Sequence, residues 1–161
     1  MLVHPIQVTL KRGEYTVIAQ VPIKAGAVIV TITGRETQRP NRNTLQVGLN
    51  LHLEAATTVS PEDTPECDQW RFLNHCCQAN AYFRGRALYA LEDIPVGEEV
   101  TFNYNATEYR LASPFFCWCD HGACSGGQRI NGFADLSPEE QQALLPWCQD
   151  HIRAVHGQCP P

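Results

Sequence analysis

The chain has 161 residues, enough for one domain with a buried core. Its 43% hydrophobic and 18% charged content excludes a disordered chain, and no apolar run reaches the ~20 residues that span a bilayer. Residues 1–60 hold six basic and three acidic side chains (+3), whereas residues 61–161 hold six basic and fourteen acidic (−8). The acidic half argues against direct nucleic-acid binding; it suits a basic partner such as a lysine-rich peptide, and equally a merely solvated surface. The first residues, Met1-Leu2-Val3-His4-Pro5-Ile6, lack the basic and long apolar regions of a signal peptide. A soluble, intracellular protein is expected, cytoplasmic and nuclear settings being indistinguishable, with no membrane association and an unknown oligomeric state.

Along the chain, 8–21 and 27–32 are rich in β-branched residues and are separated by a Pro22/Gly26 turn, which predicts two short strands. Residues 34–43 show no periodicity and read as a loop. Leu45, Val47, Leu49, Leu51 and Leu53 alternate with polar or small residues, the clearest strand or hairpin signal present. Residues 57–66 form a Pro-rich acidic loop, 81–91 are strand-like, and 100–104 are a short buried strand. Residues 105–133 carry cysteines and little regular structure. Ser137-Pro138-Glu139-Glu140 is a capping box with Pro at the first helical position; it opens a helix that Pro146 interrupts and that resumes to about Val155. The fold class is mostly β, with many short strands and a C-terminal helix.

The stretch Arg71-Phe72-Leu73-Asn74-His75-Cys76-Cys77-Gln78-Ala79-Asn80 organises the rest. Apolar residues run directly into amides, an imidazole and two thiols, groups that need partners or ligands once buried. Of eight cysteines, five fall in two tight groups, and without a signal peptide a reduced, metal-binding use is favoured over disulfides. Cys117-Trp118-Cys119 and Cys124 form C-x-C-x4-C, three of the four soft ligands that tetrahedral zinc takes at about 2.3 Å. Cys76 or Cys77 is the natural fourth and His121 the local competitor; buried free thiols are the weaker reading. Four protein ligands would make such a zinc structural. No G-x-G-x-x-G, P-loop or G-x-S-x-G motif is present, and His75 and Cys76, adjacent in extended chain, point apart and make a poor nucleophile–base pair.

Asn74-His75-Cys76-Cys77-Gln78-Ala79-Asn80 resembles the Asn-His-Ser-Cys-Asn-Pro-Asn signature of SET domains. Gly97-Glu98-Glu99-Val100-Thr101-Phe102-Asn103-Tyr104 resembles their Gly-Glu-Glu-Leu-Thr-Tyr-Asp-Tyr stretch, and C-x-C-x4-C resembles their post-SET zinc motif. The three occur in the family's order, and the resemblance covers about Val8 to Phe133. It implies a SET-domain fold of small β-sheets with a pseudoknot, S-adenosylmethionine as cofactor, and a lysine of a protein or peptide as methyl acceptor. By position it implies Tyr104 as the catalytic tyrosine. Asn74 and His75 would bind the cofactor, with Trp118 over the adenine or the channel. Phe102 and Tyr82 would line the lysine channel, Phe at the former position tending to permit higher methylation states. Cys77, Cys117, Cys119 and Cys124 would hold structural zinc.

Where the family's first strand carries Gly-x-Gly-Val-Phe-Ala this chain has Glu14-Tyr15-Thr16-Val17-Ile18-Ala19, so Gly13 and Tyr15 become the cofactor candidates of that turn. Ala79 replaces the signature proline and Cys76 its serine. The expected layout is a SET domain over 1–113, a post-SET zinc segment over 114–133 and a helical extension over 134–161. Two other readings stand beside a lysine methyltransferase: a catalytically silent SET-like zinc-binding interaction module, which the lost glycines favour, and a SET-like enzyme acting on a small molecule.

Overall fold

The computed structural model describes residues 3–56, 59–119 and 127–158. Its first region is a hairpin: β1 (Ile6–Lys11) pairs antiparallel with β2 (Glu14–Ala19). The predicted single strand over 8–21 is therefore two. Arg12 and Gly13 join them with φ of 54° and 83°, the positive values that a tight two-residue hairpin turn demands at both positions. Gly13 is thus explained by the turn.

A five-stranded sheet follows, in the order β3 (Val28–Thr31), β9 (Ala87–Ala90), β8 (Ala81–Arg84), β10 (Thr101–Phe102), β7 (Asn74–His75). Residues 81–91 form a β8–β9 hairpin turning at Gly85, where one strand-like stretch was expected. The later strand β10 lies between two earlier ones and runs parallel to both, pairing Phe102 with His75 on one side and Ala81 on the other. This insertion brings the Asn-His stretch and the Phe102–Tyr104 stretch together.

The third sheet orders β4 (Arg35–Thr37), β6 (Leu51–Glu54) and β5 (Thr44–Gly48). The expected loop over 34–43 thus contains a strand, recruited by pairing with β6 and by an Arg35–Glu54 ion pair, not by its own periodicity. In the predicted hairpin, Leu45 pairs with Leu53 and Gln46 with His52; all four are buried, whereas Leu49 at the turn is exposed. The alternation located the hairpin, but the hairpin is buried on both faces.

The residues around Thr64 form two 3-10 turns, Pro61–Asp63 and Glu66–Phe72. In the cysteine region β11 (Phe115–Cys117) pairs with β12 (Gln128–Ile130), a ladder that the sequence did not signal. The capping box forms as predicted, Glu140 N–H donating to Ser137 Oγ and Ser137 N–H to Glu140 Oε2, and opens α1 (Pro138–Leu144). A 3-10 turn over Leu145–Trp147 then leads to α2 (Asp150–Gln158).

The main core joins the first three sheets through residues such as Ile6, Val17, Leu53, Phe83, Leu88 and Val100. Two satellites lie C-terminal to it, one of Ala106, Phe133, Cys148 and Ile152, the other of Cys117 and Ile130. Tyr104 packs on both the main core and the cysteine-bearing satellite.

Candidate functional site

Tyr104 stands at the seam. Its phenol donates to the Leu73 carbonyl at 2.7 Å, and its ring is 4.8 Å from Phe102 and 5.8 Å from Phe115, centroid to centroid. Phe102 in turn meets Phe83 edge-on at 5.0 Å, so the core clamps its position. Burial, then the charges of Glu108 and Glu99, push the Tyr104 phenol far above its ordinary value, so it stays protonated and serves as a donor.

These rings wall a cavity of about 510 Å³, inside the range of small-molecule sites. Leu45, Trp70, Arg71, Leu73, Glu108 and Phe115 complete the walls that matter below. Phe102 also borders a second cavity of about 120 Å³, together with Tyr82 and Trp147. Tyr82 therefore lies apart from the larger cavity: it stacks on Tyr89 at 5.5 Å and meets Trp147 at 5.2 Å.

His75 is held at both ring nitrogens. Nδ1 lies 3.0 Å from the Tyr104 backbone N–H, which can only donate, so Nδ1 accepts and the ring proton sits on Nε2. Nε2 faces Cys77 Sγ at 3.3 Å. Burial lowers the imidazole to about 4, which keeps it neutral. His75, Cys77 and Cys117 bring their ligand atoms within 4.8 Å of one another, and the Cys119 N–H approaches Cys117 Sγ at 3.5 Å. Cys76 is buried, and its thiol is pushed up to about 11, first by burial and also by the neighbouring Cys119 and Cys117. Both cysteines of the central stretch therefore face the tail, with Cys77 beside Cys117. His75 ends β7 and Cys77 lies in the turn that follows, which brings the thiol back to the imidazole, a contact that adjacent residues in extended chain could not make. Cys124 and His121 lie outside the described residues.

The Asn74 amide donates to Glu99 Oε1 at 2.9 Å and to the Tyr15 carbonyl at 3.3 Å, which ties the central stretch to the first hairpin. Thr16, one of the two glycine replacements, is 2% exposed, and its hydroxyl has no hydrogen-bond partner among the described residues; Arg71 Nε is likewise unpartnered. Unsatisfied buried polar atoms beside this turn and in the cavity wall fit a polar ligand there. Trp118 is exposed, its ring lying against Gly127, where a Cβ would come within 2.8 Å of the indole. Sequence reasoning missed Phe115 and Glu108. The apolar pair Phe115-Phe116 ahead of Cys117 was a usable signal for the first; a lone glutamate in a polar stretch offered none for the second.

Comparison with known proteins places this geometry. The SET domain family profile matches residues 14–105. The human protein named histone-lysine N-methyltransferase, H3 lysine-36 specific, is 39% identical over 85 residues, 48% of this chain and 3% of the relative. The chain thus spans only a few per cent of that relative's length. "Methyltransferase flvH" of Aspergillus flavus is 27% identical over 159 residues, covering 93% of this chain and 81% of the relative. Among solved structures, Arabidopsis thaliana SUVH6 in complex with SAM superposes with a TM-score of 0.59 at 15% identity, over 78% of this chain and 33% of that one, which shows a shared fold. The chain belongs to the SET domain family.

Proposed function

We propose that this protein transfers the methyl group of S-adenosylmethionine to an amine, a lysine side chain of a protein or peptide being the first reading. The observation that carries it is the convergence of a protonated Tyr104, held by the Leu73 carbonyl, with Phe102 and Phe115 on one cavity beside the Asn74-His75 strand. The cofactor supplies an electrophilic methyl on a sulfonium. Asn74, Gly13, Tyr15 and the face of His75 would hold it, and Trp118 would cover it. Tyr104 orients groups around the methyl through its hydroxyl and is not the base. Phe102 excludes water and favours a cationic transition state, with Tyr82 on the outer side of the same wall.

A lysine of pKa ~10.4 leaves roughly one molecule in a thousand neutral near neutral pH, a cost of about 4 kcal/mol that a dry cavity lowers. Cys77, Cys117, Cys119 and Cys124 would hold a structural zinc. Among the described donors Cys77 and Cys117 come together, with Cys119 beside Cys76, and His75 Nε2–H donates to the Cys77 sulfur as a supporting group does beside a metal thiolate. On this reading 114–133 is the zinc segment that fastens the tail over the domain of 1–113, with 134–161 as the helical extension.

A small-molecule amine is the second reading, favoured by the relative that aligns nearly end to end and is named simply a methyltransferase. Calorimetric titration of the zinc-loaded protein with S-adenosylmethionine and S-adenosylhomocysteine tests both readings at their root. Stoichiometric binding is expected, with Tyr104→Phe retaining cofactor affinity within about 3-fold while losing on the order of 10²-fold in turnover. No binding at millimolar cofactor rejects methyl transfer in favour of a silent zinc module. Acceptor profiling with lysine peptides against free amines then separates the two acceptor classes.

A further inference from the structure

The larger cavity is lined by the permanently charged Arg42 and Arg71 and by one carboxyl group that the proposed chemistry leaves unused. Glu108, only 6% exposed, lines that cavity with Phe102 and Tyr104. Its two oxygens accept from the Gln46 N–H at 3.2 and 2.9 Å, and Thr107 gives it a further hydrogen bond. The groups facing it are His52 on β6, whose Nδ1 is 3.9 Å from Oε1, and Tyr104 on its own segment; His151 on α2 lies next to His52. Burial lowers both histidines, so neither supplies a positive charge near neutral pH. The Lys and Arg ion pairs among the described residues all lie elsewhere.

A carboxylate offers about four acceptor sites, and burying it without a cation or a proton is costly. An amide would satisfy Gln46 at lower cost, so a carboxylate on a cavity wall points to something that enters the cavity.

We propose that Glu108 is a specificity-determining residue of the acceptor site: it receives the ammonium head of the acceptor amine and takes its proton before methyl transfer. This rests on the methyl-transfer reading above. One ammonium N–H bond breaks, its proton passes to a Glu108 oxygen, and its electron pair stays on nitrogen. Nitrogen then forms the new N–C bond as the C–S pair goes to sulfur, leaving a neutral thioether and the positive charge on the methylated nitrogen. Two opposite charges become two neutral groups inside a dry cavity, which removes the desolvation that opposes reaction. The buried carboxyl, raised to about 7, is matched to that exchange. An alcohol of the same shape can donate one hydrogen bond to Glu108 but brings neither the positive charge nor the acidic proton.

The test uses the full zinc-loaded chain without cofactor, titrated with n-butylammonium chloride and with n-butanol while the Glu108 carboxyl-carbon NMR resonance is followed. The ammonium is expected to bind about 10-fold more tightly than the alcohol and to shift that resonance; Glu108→Gln should erase the 10-fold preference and change alcohol binding less than about 2-fold. Equal binding of the two probes, or ammonium binding with the Glu108 resonance unmoved, overturns the proposal, and the unmodified protein alone decides it if the variant does not fold. S-adenosylhomocysteine is titrated into the same samples. S-adenosylhomocysteine binding without ammonium preference rejects Glu108 alone; ammonium preference without S-adenosylhomocysteine binding keeps the Glu108 site and rejects methyl transfer.

Discussion

The sheet core and the cysteine tail are held by different means. The core buries Phe83, Leu88, Ile94 and Val100 almost completely, in a cluster whose described members are apolar and carry no sulfur. Among its described residues the tail satellite buries Cys117 and Ile130 and leaves Phe116 and Trp118 more than 60% exposed. Apolar burial at ~25 cal/mol per Å² can stabilise the first and does little for the second. On the proposed reading the tail is fastened by its thiols through zinc, and Cys77 lies two residues beyond the strand whose His75 accepts from the Tyr104 N–H. A cavity built at such a seam depends on both regions.

Cys117→Ser should break the comparison most sharply, because a structural zinc contributes on the order of 10 kcal/mol in small domains. Bound zinc should fall below about a tenth of the unmodified protein's by elemental analysis, and S-adenosylhomocysteine affinity by at least about 10-fold. The far-ultraviolet dichroism of the sheets should stay unchanged. Unaltered zinc content would remove the cluster; loss of the sheets as well would show that the regions fold as one.

Glu108 joins the regions from the other side, bridging Gln46 of the third sheet to the segment that carries Tyr104. Its folded carboxyl is raised from an ordinary 4.5 to about 7, so the folded state binds the proton more tightly than the unfolded chain does. That contribution, about 3 kcal/mol, is complete below pH 4.5 and is lost as pH rises through about 7. The lowered histidines, His52, His75 and His151, act oppositely: their contribution is present above 6.5 and is lost as pH falls below it. Glu108→Gln isolates the first effect. Denaturant unfolding should show the unmodified protein losing stability relative to the variant between pH 5 and pH 8; parallel curves would mean that Glu108 titrates normally.

The contrast between regions also explains what could be read from the chain. Leu45–Leu53 and the Ser137 capping box carry their signals locally and formed where expected, whereas the strand expected over 100–104 is cut to Thr101–Phe102, with Tyr104 opening a 3-10 turn. β4 and β11–β12 have no periodicity of their own and exist because a partner strand recruits them. Thiol chemistry and ligand number pointed to Cys76 or Cys77 and left the choice open, the resemblance implying Cys77, which lies beside Cys117; the turning of His75 towards Cys77 depends on the Tyr104 N–H, a partner twenty-nine residues away. The burial of Gln46 and His52 was likewise hidden, since it depends on the distant Glu108, which accepts from the Gln46 backbone N–H and faces His52, and on the Tyr109 N–H, which donates to the Gln46 side chain.

The smallest effect tests whether the helical extension stands apart. No residue of α1 is buried, so its start is held by the cap and by Gln141 N–H donating to the Ser137 carbonyl. Ser137→Ala leaves the Glu140 N–H to water at an exposed helix end, a loss of about 1 kcal/mol. If the extension is autonomous, amide exchange at Glu140 should quicken about 5-fold while the sheet amides and the global midpoint hold. One connection argues the other way: Gln128 Nε2 on β12 reaches Glu140 Oε1 at 3.3 Å, and the same carboxylate accepts from the Ser137 N–H. Loosening the cap frees Glu140 to move, so a matching rise in exchange along β12 would show that this carboxylate couples the helix to the cysteine tail, and that the tail has two fastenings instead of one.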